Sequence, residues 1–176
     1  MPIRLELHFL PTQAELWHYS RLIMFMENNK SNSLMKTSAR NQLPGKITAV
    51  KHGPVTSEIT LQLANGMSLV GTVTEESCRE LGLAEGGLAT ALIKASNIIV
   101  ATDLHPMKLS ARNQLAGLVT HVERGAVNSI VSIDIGGGLI LTAGITMQST
   151  ETLDLHPGQK VTAIFKASSV ILGVVA

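Results

Sequence analysis

The sequence predicts a mainly β protein that consists of two small barrels in tandem, each with one short helix. Three observations support this prediction: a long internal repeat, alternation of apolar and polar residues within each copy, and glycine-rich turns. A chain of 176 residues, 45% of them hydrophobic, has room for one ordinary core or two small ones. Two small domains therefore fit the length and the composition.

The repeat aligns residues 35–103 with residues 107–175 without a gap, at an offset of 72. Both copies contain Ser-Ala-Arg-Asn-Gln-Leu, beginning at Ser38 and at Ser110, and matches such as Lys94 and Lys166 extend to the end of the unit. Two copies argue against a solenoid, which needs more repeats to bury its core. We therefore predict one domain at 35–104, a second at 105–176 and a separate segment at 1–34.

The segment 1–34 has no counterpart in either copy, and it contains every aromatic residue of the chain except Phe165. One interpretation is a helix around AELWHYSRLIMFM followed by a polar linker, because Leu16, Tyr19 and Ile23 fall at helical spacing. The other is an upstream extension that the cell does not make, because Met35 stands where the repeat begins. We favour the second, and neither gives the segment a function.

Alternating apolar residues predict the first strands of each unit. Ile59, Leu61 and Leu63 alternate with polar residues and run into Asn65-Gly66, and the second copy follows the same pattern into Gly136-Gly137-Gly138. This pattern predicts a half-buried β-hairpin, in which glycine supplies the positive φ of a tight turn.

A short helix follows the returning strand. In TEESCRELGL, Thr74 is the predicted N-cap and Gly82 the predicted end. A last strand pair closes each unit, through LATALIKA and NIIVAT in the first copy and KVTAIFKA and SVILGVV in the second. Five short strands with one small helix predict a closed Greek-key barrel of the OB type.

The net charge limits the classes of binding partner, and the cysteine content indicates the cellular compartment. The formal net charge of +1 argues against a broad surface for nucleic acid or for an anionic membrane. Cys78 is the only cysteine, so an intrachain disulfide is impossible and a reducing compartment is indicated. Because the sequence shows no signal peptide and no apolar stretch of transmembrane length, we predict a cytoplasmic protein.

Three polar elements recur in both copies and together predict an anion site. In the first copy, Ser38, Thr74, Ser77 and Ser96 offer hydroxyl donors, and the start of the helix offers unpaired backbone N–H groups. Arg40 and Lys94 add fixed positive charge, and no recurring acid accompanies them. This donor set suits a doubly charged tetrahedral oxyanion, which accepts hydrogen bonds and donates none.

Each element also has a structural interpretation. The threonines can be simple N-caps, the lysines solvated strand ends, the arginines interface contacts and the asparagines edge hydrogen bonds. We expect a structural role for Asn41 and Asn113, whereas the joint recurrence of Lys and Arg favours a ligand for the other elements.

Enzymatic and nucleic-acid functions find little support in the sequence. The six histidines do not recur between copies, none has a metal-ligand spacing with Cys78, and we expect surface roles for all of them. The chain lacks a Walker-type loop, a Gly-x-Ser-x-Gly elbow and a carboxylate pair present in both copies. Single-stranded nucleic acid requires aromatic stacking platforms, and Phe165 is the only aromatic residue of the repeats. We therefore predict a binding protein that is not an enzyme.

At these residues the sequence resembles the molbindin family, small molybdate-binding proteins built of Mop domains. The resemblance depends on SARNQLPG and SARNQLAG, on TEES and on Thr146 followed by MQS, on GLAEGG and DLHPGQ, and on LIKASNIIVAT and FKASSVILGV. It covers both repeats and is close to a tandem molbindin. The same paired domain forms the ligand-sensing half of the molybdate-responsive transcription regulator, but residues 1–34 are too short for that regulator's winged helix.

The resemblance implies an OB-type barrel for each Mop domain and a homotrimer of two-domain chains. It implies molybdate, and also tungstate, as the ligand, held without catalysis for storage or homeostasis. The sites would lie between subunits, with Ser-Ala-Arg-Asn from one domain and Thr-x-x-Ser and Lys-Ala-Ser from a neighbouring one. Carried over, the site residues are Ser38, Ala39, Arg40, Asn41, Thr74, Ser77, Lys94, Ala95, Ser96, Ser110, Ala111, Arg112, Asn113, Thr146, Ser149, Lys166, Ala167 and Ser168, with Ala39, Asn41, Ala95 and their counterparts contributing backbone N–H groups.

The main alternative is a regulatory module that contacts a protein or DNA partner when it is loaded with the anion. In that case AELWHYSRLIMFM would be the contact element.

Overall fold

A computed structural model describes residues 36–104 and 107–175 of the chain. The helix or extension predicted within residues 1–34 lies outside the described residues. From Ser38 onward the chain belongs to one compact unit.

Both repeats fold into the same series of elements. In the first repeat they are β1 Asn41–Lys51, β2 Thr56–Leu63, β3 Ser68–Thr74, α1 Glu75–Glu80, β4 Leu88–Ile93 and β5 Ile99–Ala101. In the second repeat they are β6 Asn113–Arg124, β7 Asn128–Asp134, β8 Ile140–Thr146, α2 Met147–Thr152, β9 Lys160–Phe165 and β10 Ile171–Gly173. A 3₁₀ turn precedes each last strand, at Ala95–Asn97 and at Ala167–Ser169.

The predicted hairpins and helices are confirmed. β2 pairs with β3 and β7 with β8 as antiparallel neighbours, and Gly66 takes a φ of 81° in the first turn. Thr74 caps α1, and Gly82 follows the helix with a φ of 60°. Asp154 stands at the equivalent position of the second repeat with a φ of 46°, a left-handed conformation that Asp tolerates better than most residues.

The prediction that the last two strands of each repeat pair with each other is wrong. The two sheets have the strand orders β10-β4-β1-β2-β3 and β5-β9-β6-β7-β8, so each repeat lends its last strand to the other. β5 pairs with β9, with Val100 opposite Ala163, and β10 pairs with β4, with Leu172 opposite Ala91. β10 also lies close to β3, and β5 close to β8, so the two edges of each sheet approach each other, although no ladder joins them among the described residues. The predicted class, mainly β with two five-stranded units, is confirmed.

The exchange joins the two repeats through one hydrophobic cluster. Its buried members come from both copies, and Phe165 is 1% exposed within it. Cys78 is also 1% exposed, as expected for a small buried hydrophobe. Among residues 36–104 and 107–175, neither short helix approaches the length and apolar character that a membrane span requires.

Two buried asparagines bind the repeats together. Asn41, 1% exposed, donates from Nδ2 to the carbonyl of Thr142 at 2.9 Å and accepts the Thr142 N–H at 2.6 Å. Asn113 does the same with Val70, at 2.8 and 2.7 Å, and Val70 and Thr142 are equivalent positions of the repeat. Each amide therefore pairs with the edge of β3 or β8 as an additional strand residue would. The expected structural role of these asparagines is confirmed.

Replacing Asn41 by Ala will destabilise the native state by about 3 kcal/mol, because the Thr142 amide and two carbonyl groups, of Thr142 and Ile93, lose their buried partner. Urea denaturation measures the change. Asn128→Ala is the matched control, since Asn128 is exposed and its side chain makes no hydrogen bond to another described residue. Equal urea midpoints for the two variants would contradict a stabilising role of the Asn41 side-chain hydrogen bonds.

Candidate oxyanion site

The Ser-Ala-Arg-Asn and Lys-Ala-Ser segments of one repeat lie side by side. In the antiparallel ladder of β1 and β4, Asn41 is opposite Ile93, so Arg40 and Lys94 leave neighbouring strands at the same end of the sheet. The second repeat repeats this geometry, with Asn113 opposite Phe165. The pairing of strands thus places one Arg and one Lys together in each repeat.

The charged and hydroxyl groups of these segments face solvent. Four residues of each repeat are exposed, namely Ser38, Arg40, Lys94 and Ser96, and Ser110, Arg112, Lys166 and Ser168. The alanines between them are less exposed: Ala39, Ala95 and Ala111 are half-buried and Ala167 is buried. The segments thus present polar groups outward from an apolar base.

The other repeat supplies the strand that leads into Thr-x-x-Ser. The turn Ala95–Asn97 packs against β8, and the turn Ala167–Ser169 packs against β3. A Cβ atom on Gly144, two residues before Thr146, would lie 3.8 Å from the Cβ of Ala95. This arrangement differs from the one implied by the resemblance, because here Lys-Ala-Ser neighbours the Ser-Ala-Arg-Asn segment of its own repeat.

The threonines of Thr-x-x-Ser cap their helices. Thr74 Oγ1 accepts the N–H of Ser77 at 3.1 Å, and Thr146 Oγ1 accepts that of Ser149 at the same distance. The N–H of Glu75 donates to the carbonyl of Val55 at 3.0 Å. The helix start therefore offers fewer unpaired N–H groups than the sequence predicted, because the preceding loop and the cap use two of them.

A hydroxyl pair remains available at each cap. Thr74 Oγ1 donates to Ser77 Oγ at 2.8 Å, which leaves the hydroxyl proton of Ser77 to point elsewhere. Thr146 and Ser149 form the same pair at 2.8 Å, where either oxygen can be the donor. A bound anion can take the second proton of either pair, since each oxygen carries one donor.

The two arginines have different partners. Arg112 donates from its two terminal nitrogens to Glu58 of the other repeat, at 2.7 and 2.9 Å. For Arg40, no ion pair or hydrogen bond of its side chain is found among the described residues. The amide side chains of Asn41 and Asn113 are hydrogen-bonded to the backbone of Thr142 and Val70. Only the backbone groups of the two asparagines can therefore contribute to a site, as predicted.

Sequence reasoning missed a polar cluster at the start of α1. His52 Nδ1 lies 3.2 Å from Glu75, and the buried hydroxyl of Ser57 donates to the same carboxylate. One ligand atom each of His52, Glu75 and Cys78 lies within 4.8 Å of the others. The hydrogen bond from Ser57, and next the contact with His52, holds the pKa of Glu75 below its usual value of 4.5.

This cluster belongs to the first repeat alone. The equivalent positions of the second repeat are Arg124, Ser129, Met147 and Thr150, and there Ser129 Oγ lies 3.3 Å from Met147 Sδ. Cys78 Sγ lies 3.7 Å from the carbonyl of Leu83, so the thiol also has a protein partner. The cluster fastens the start of α1 to the loop after β1. No sequence spacing indicated it, because its members stand far apart in the chain.

A shallow groove elsewhere on the surface contains none of the predicted site residues. It lies over β6 and β9 and is lined in part by Thr102, Gly117, Leu118 and Lys160. The predicted anion site is a surface assembly of chain segments and does not coincide with this groove.

The fold and the paired polar segments define a class, proteins built of two tandem five-stranded barrels that exchange their last strands. The family model described as the TOBE domain matches the chain twice, over residues 37–100 and 109–172. The chain therefore belongs to the TOBE domain family, as a tandem of two domains, and its resemblance to the molbindins is confirmed.

Two relatives and one solved structure illustrate the relationship. The molybdenum transport protein ModE of Herbaspirillum seropedicae is 45% identical over 80% of this chain and 52% of its own length. The DNA-binding transcriptional dual regulator ModE of Escherichia coli strain K12 is 39% identical over 78% of this chain and 52% of its own. The cytoplasmic molybdate-binding protein ModG, solved with molybdate bound, is 43% identical with a TM-score of 0.78, and the match covers 80% of this chain and 99% of that one.

The chain spans about half the length of the two ModE proteins, 52% in each case. The names of these relatives describe transport, regulation and binding. None of these names describes an enzyme, in agreement with the prediction of a binding protein. The DNA-binding regulator among them leaves the predicted absence of a nucleic-acid partner as a prediction.

Replacing Thr74 by Ala will lower the free energy of unfolding by about 1 kcal/mol, because the N–H of Ser77 loses its acceptor. Urea denaturation measures the change, and Thr74→Ser, which keeps the hydroxyl, serves as the control. An Ala variant as stable as the Ser variant would show that the cap has no stabilising effect.

The stability contributed by Glu75 will depend on pH. A carboxyl whose pKa is lowered by folding stabilises the native state above its unfolded pKa and loses that effect as the pH falls through the folded value. We expect Glu75→Gln to be less stable than the parent at neutral pH and the difference to shrink below the ordinary value of 4.5.

Urea midpoints measured across the acid range test this expectation. Glu76→Gln is the matched control, because Glu76 is exposed on the same helix and its side chain makes no hydrogen bond to another described residue. A constant difference between the parent and Glu75→Gln down to the most acid pH would contradict the role of the Glu75 charge.

Proposed function

We propose that this chain binds molybdate in the cytoplasm and stores it, or buffers its concentration, without catalysis. The observation that carries the proposal is the juxtaposition in each repeat of an Arg-bearing and a Lys-bearing strand end, both exposed and flanked by serines. Two fixed cations and several hydroxyl donors match a tetrahedral dianion in charge and in hydrogen bonding.

The ModG structure supports the choice of ligand. That protein is described as a cytoplasmic molybdate-binding protein and contains molybdate, and it is 43% identical to this chain over 99% of its own length. Tungstate has the same shape and charge, so we propose it as an alternative ligand of the same sites.

The proposed site residues are those carried over from the resemblance. The first copy would contribute the hydroxyls of Ser38, Thr74, Ser77 and Ser96 and the side chains of Arg40 and Lys94, with its Thr-x-x-Ser element serving a site whose Ser-Ala-Arg-Asn segment comes from another domain. Backbone N–H groups of Ala39, Asn41 and Ala95 would complete the shell. The second copy would use the residues at the equivalent positions.

We propose that the chain assembles into a homotrimer. Apolar side chains are exposed in pairs related by the repeat: Val55 and Val127 are 72% and 73% exposed, and Ile99 and Ile171 are 64% and 66% exposed. Such residues favour burial against another copy of the chain. An assembly of this kind would bring the Thr-x-x-Ser of one chain towards the cationic segments of another.

A regulatory module is the second candidate function. It is favoured by the relation to the E. coli ModE protein, a DNA-binding transcriptional regulator that matches 78% of this chain. Deleting residues 1–34 would then abolish contact with a partner and leave anion binding unchanged. Binding of promoter DNA by the full chain, dependent on molybdate, would favour this candidate over storage.

Calorimetric titration of the anion-free chain with molybdate in excess sulfate tests the proposed function. We expect saturable binding of more than one anion per chain, with a trimeric mass recorded by light scattering in the same buffer. Lys94→Ala removes a charged donor worth about 1.5–3 kcal/mol and should weaken one class of site about ten- to hundredfold.

Lys160→Ala is the matched control, because Lys160 is an exposed lysine at the end of β9 that lies away from Lys166. Absence of heat from a folded chain would overturn the proposal. A stable monomer that still binds molybdate tightly would overturn the trimer and leave the ligand in place.

A further inference from the structure

The arginines of the two repeats differ in the charge of the residue that the other repeat places beside them. Glu58 lies on β2 and reaches Arg112 of the second repeat with two hydrogen bonds, of 2.7 and 2.9 Å. The Glu58 side chain is 28% exposed and that of Arg112 56% exposed. The carboxylate thus stands beside the cation that the second anion site would use.

Ile130 occupies the equivalent place in the second repeat. Glu58 is paired with Thr72 across β2 and β3, and Ile130 is paired with Gly144 across β7 and β8, in the same register. A Cβ atom on Gly144 would lie 3.8 Å both from Ile130 Cδ1 and from the Cβ of Ala95. Ile130 therefore faces the Lys-Ala-Ser turn of the first repeat, beside which Arg40 enters β1.

The helices that follow these strands also differ in charge, and again the first repeat is the more acidic. The first turn of α1 contains Glu75 and Glu76, whereas the first turn of α2 contains Met147 and Gln148 and no acid. The start of the helix is therefore acidic in the first repeat and contains no acid in the second.

We propose that Glu58 makes the two anion sites of the chain unequal, with the Arg40 site tight and the Arg112 site weak. This inference rests on the proposed function. Glu58 occupies two donors of a guanidinium that has five, and its charge repels a dianion bound on the other side. The neutral Ile130 leaves the full charge of Arg40 to the ligand.

Calorimetry with molybdate on the full chain tests this difference. The parent should show two classes of site, and Glu58→Gln should tighten the weak class about tenfold while the tight class keeps its affinity. Arg112→Ala should remove the weak class and Arg40→Ala the tight one, which assigns each class to its arginine.

The repeat provides a reciprocal variant. Ile130→Glu places a carboxylate at the position equivalent to Glu58, and it should weaken the tight class about tenfold. The double variant with Glu58→Ile and Ile130→Glu should exchange the order of the two sites, as Arg40→Ala in that background would reveal. Circular dichroism of each variant establishes that it is folded.

The outcomes separate this inference from the proposed function. No binding by the parent would overturn the proposed function. Binding by the parent with Glu58→Gln unchanged would overturn the inference alone. A Glu58→Gln variant that binds more weakly would also overturn it, by showing that the carboxylate positions Arg112 for the anion. If Glu58→Gln fails to fold, Ile130→Glu replaces it as the test. An unchanged affinity of the tight class in Ile130→Glu would then overturn the inference.

Discussion

The exchange of the last strand between the repeats is the constraint on which the rest of the structure depends. β4 would be an edge strand without β10, and β9 would be one without β5, so neither sheet is complete within its own repeat. An edge strand exposes unpaired backbone groups, and the exchange covers them with hydrogen bonds from the other copy. It also merges the apolar faces of both copies into one hydrophobic cluster.

The same constraint explains why the Ser-Ala-Arg-Asn segment recurs. Its asparagine is buried and binds the edge strand of the other repeat, which fixes where β1 and β6 begin. The Arg immediately before it then stands at the strand end, beside the Lys of the neighbouring strand. A structural residue and the proposed ligand residues are thus adjacent in sequence, because the first positions the second.

The two repeats agree more closely in their helix caps and strand registers than in the polar side chains around them. The caps at Thr74 and Thr146 have the same geometry, and the ladders keep the same register. Side chains around this scaffold have diverged, with Glu58 replaced by Ile130 and the polar partner Glu75 by Met147. Such changes leave the backbone hydrogen bonds intact, so two related sites can acquire different charge.

The sequence by itself determined the repeat, the hairpins, the capped helices and the polar residues that recur, because these depend on local periodicity, turn chemistry and internal comparison. Only the tertiary structure decided that Val100 and Leu172 complete the opposite barrel, since the sequence of an apolar strand of three residues does not specify its partner. It alone brought Glu58 to Arg112 and His52 to Glu75, because contacts between residues distant in the chain depend on strand order and register.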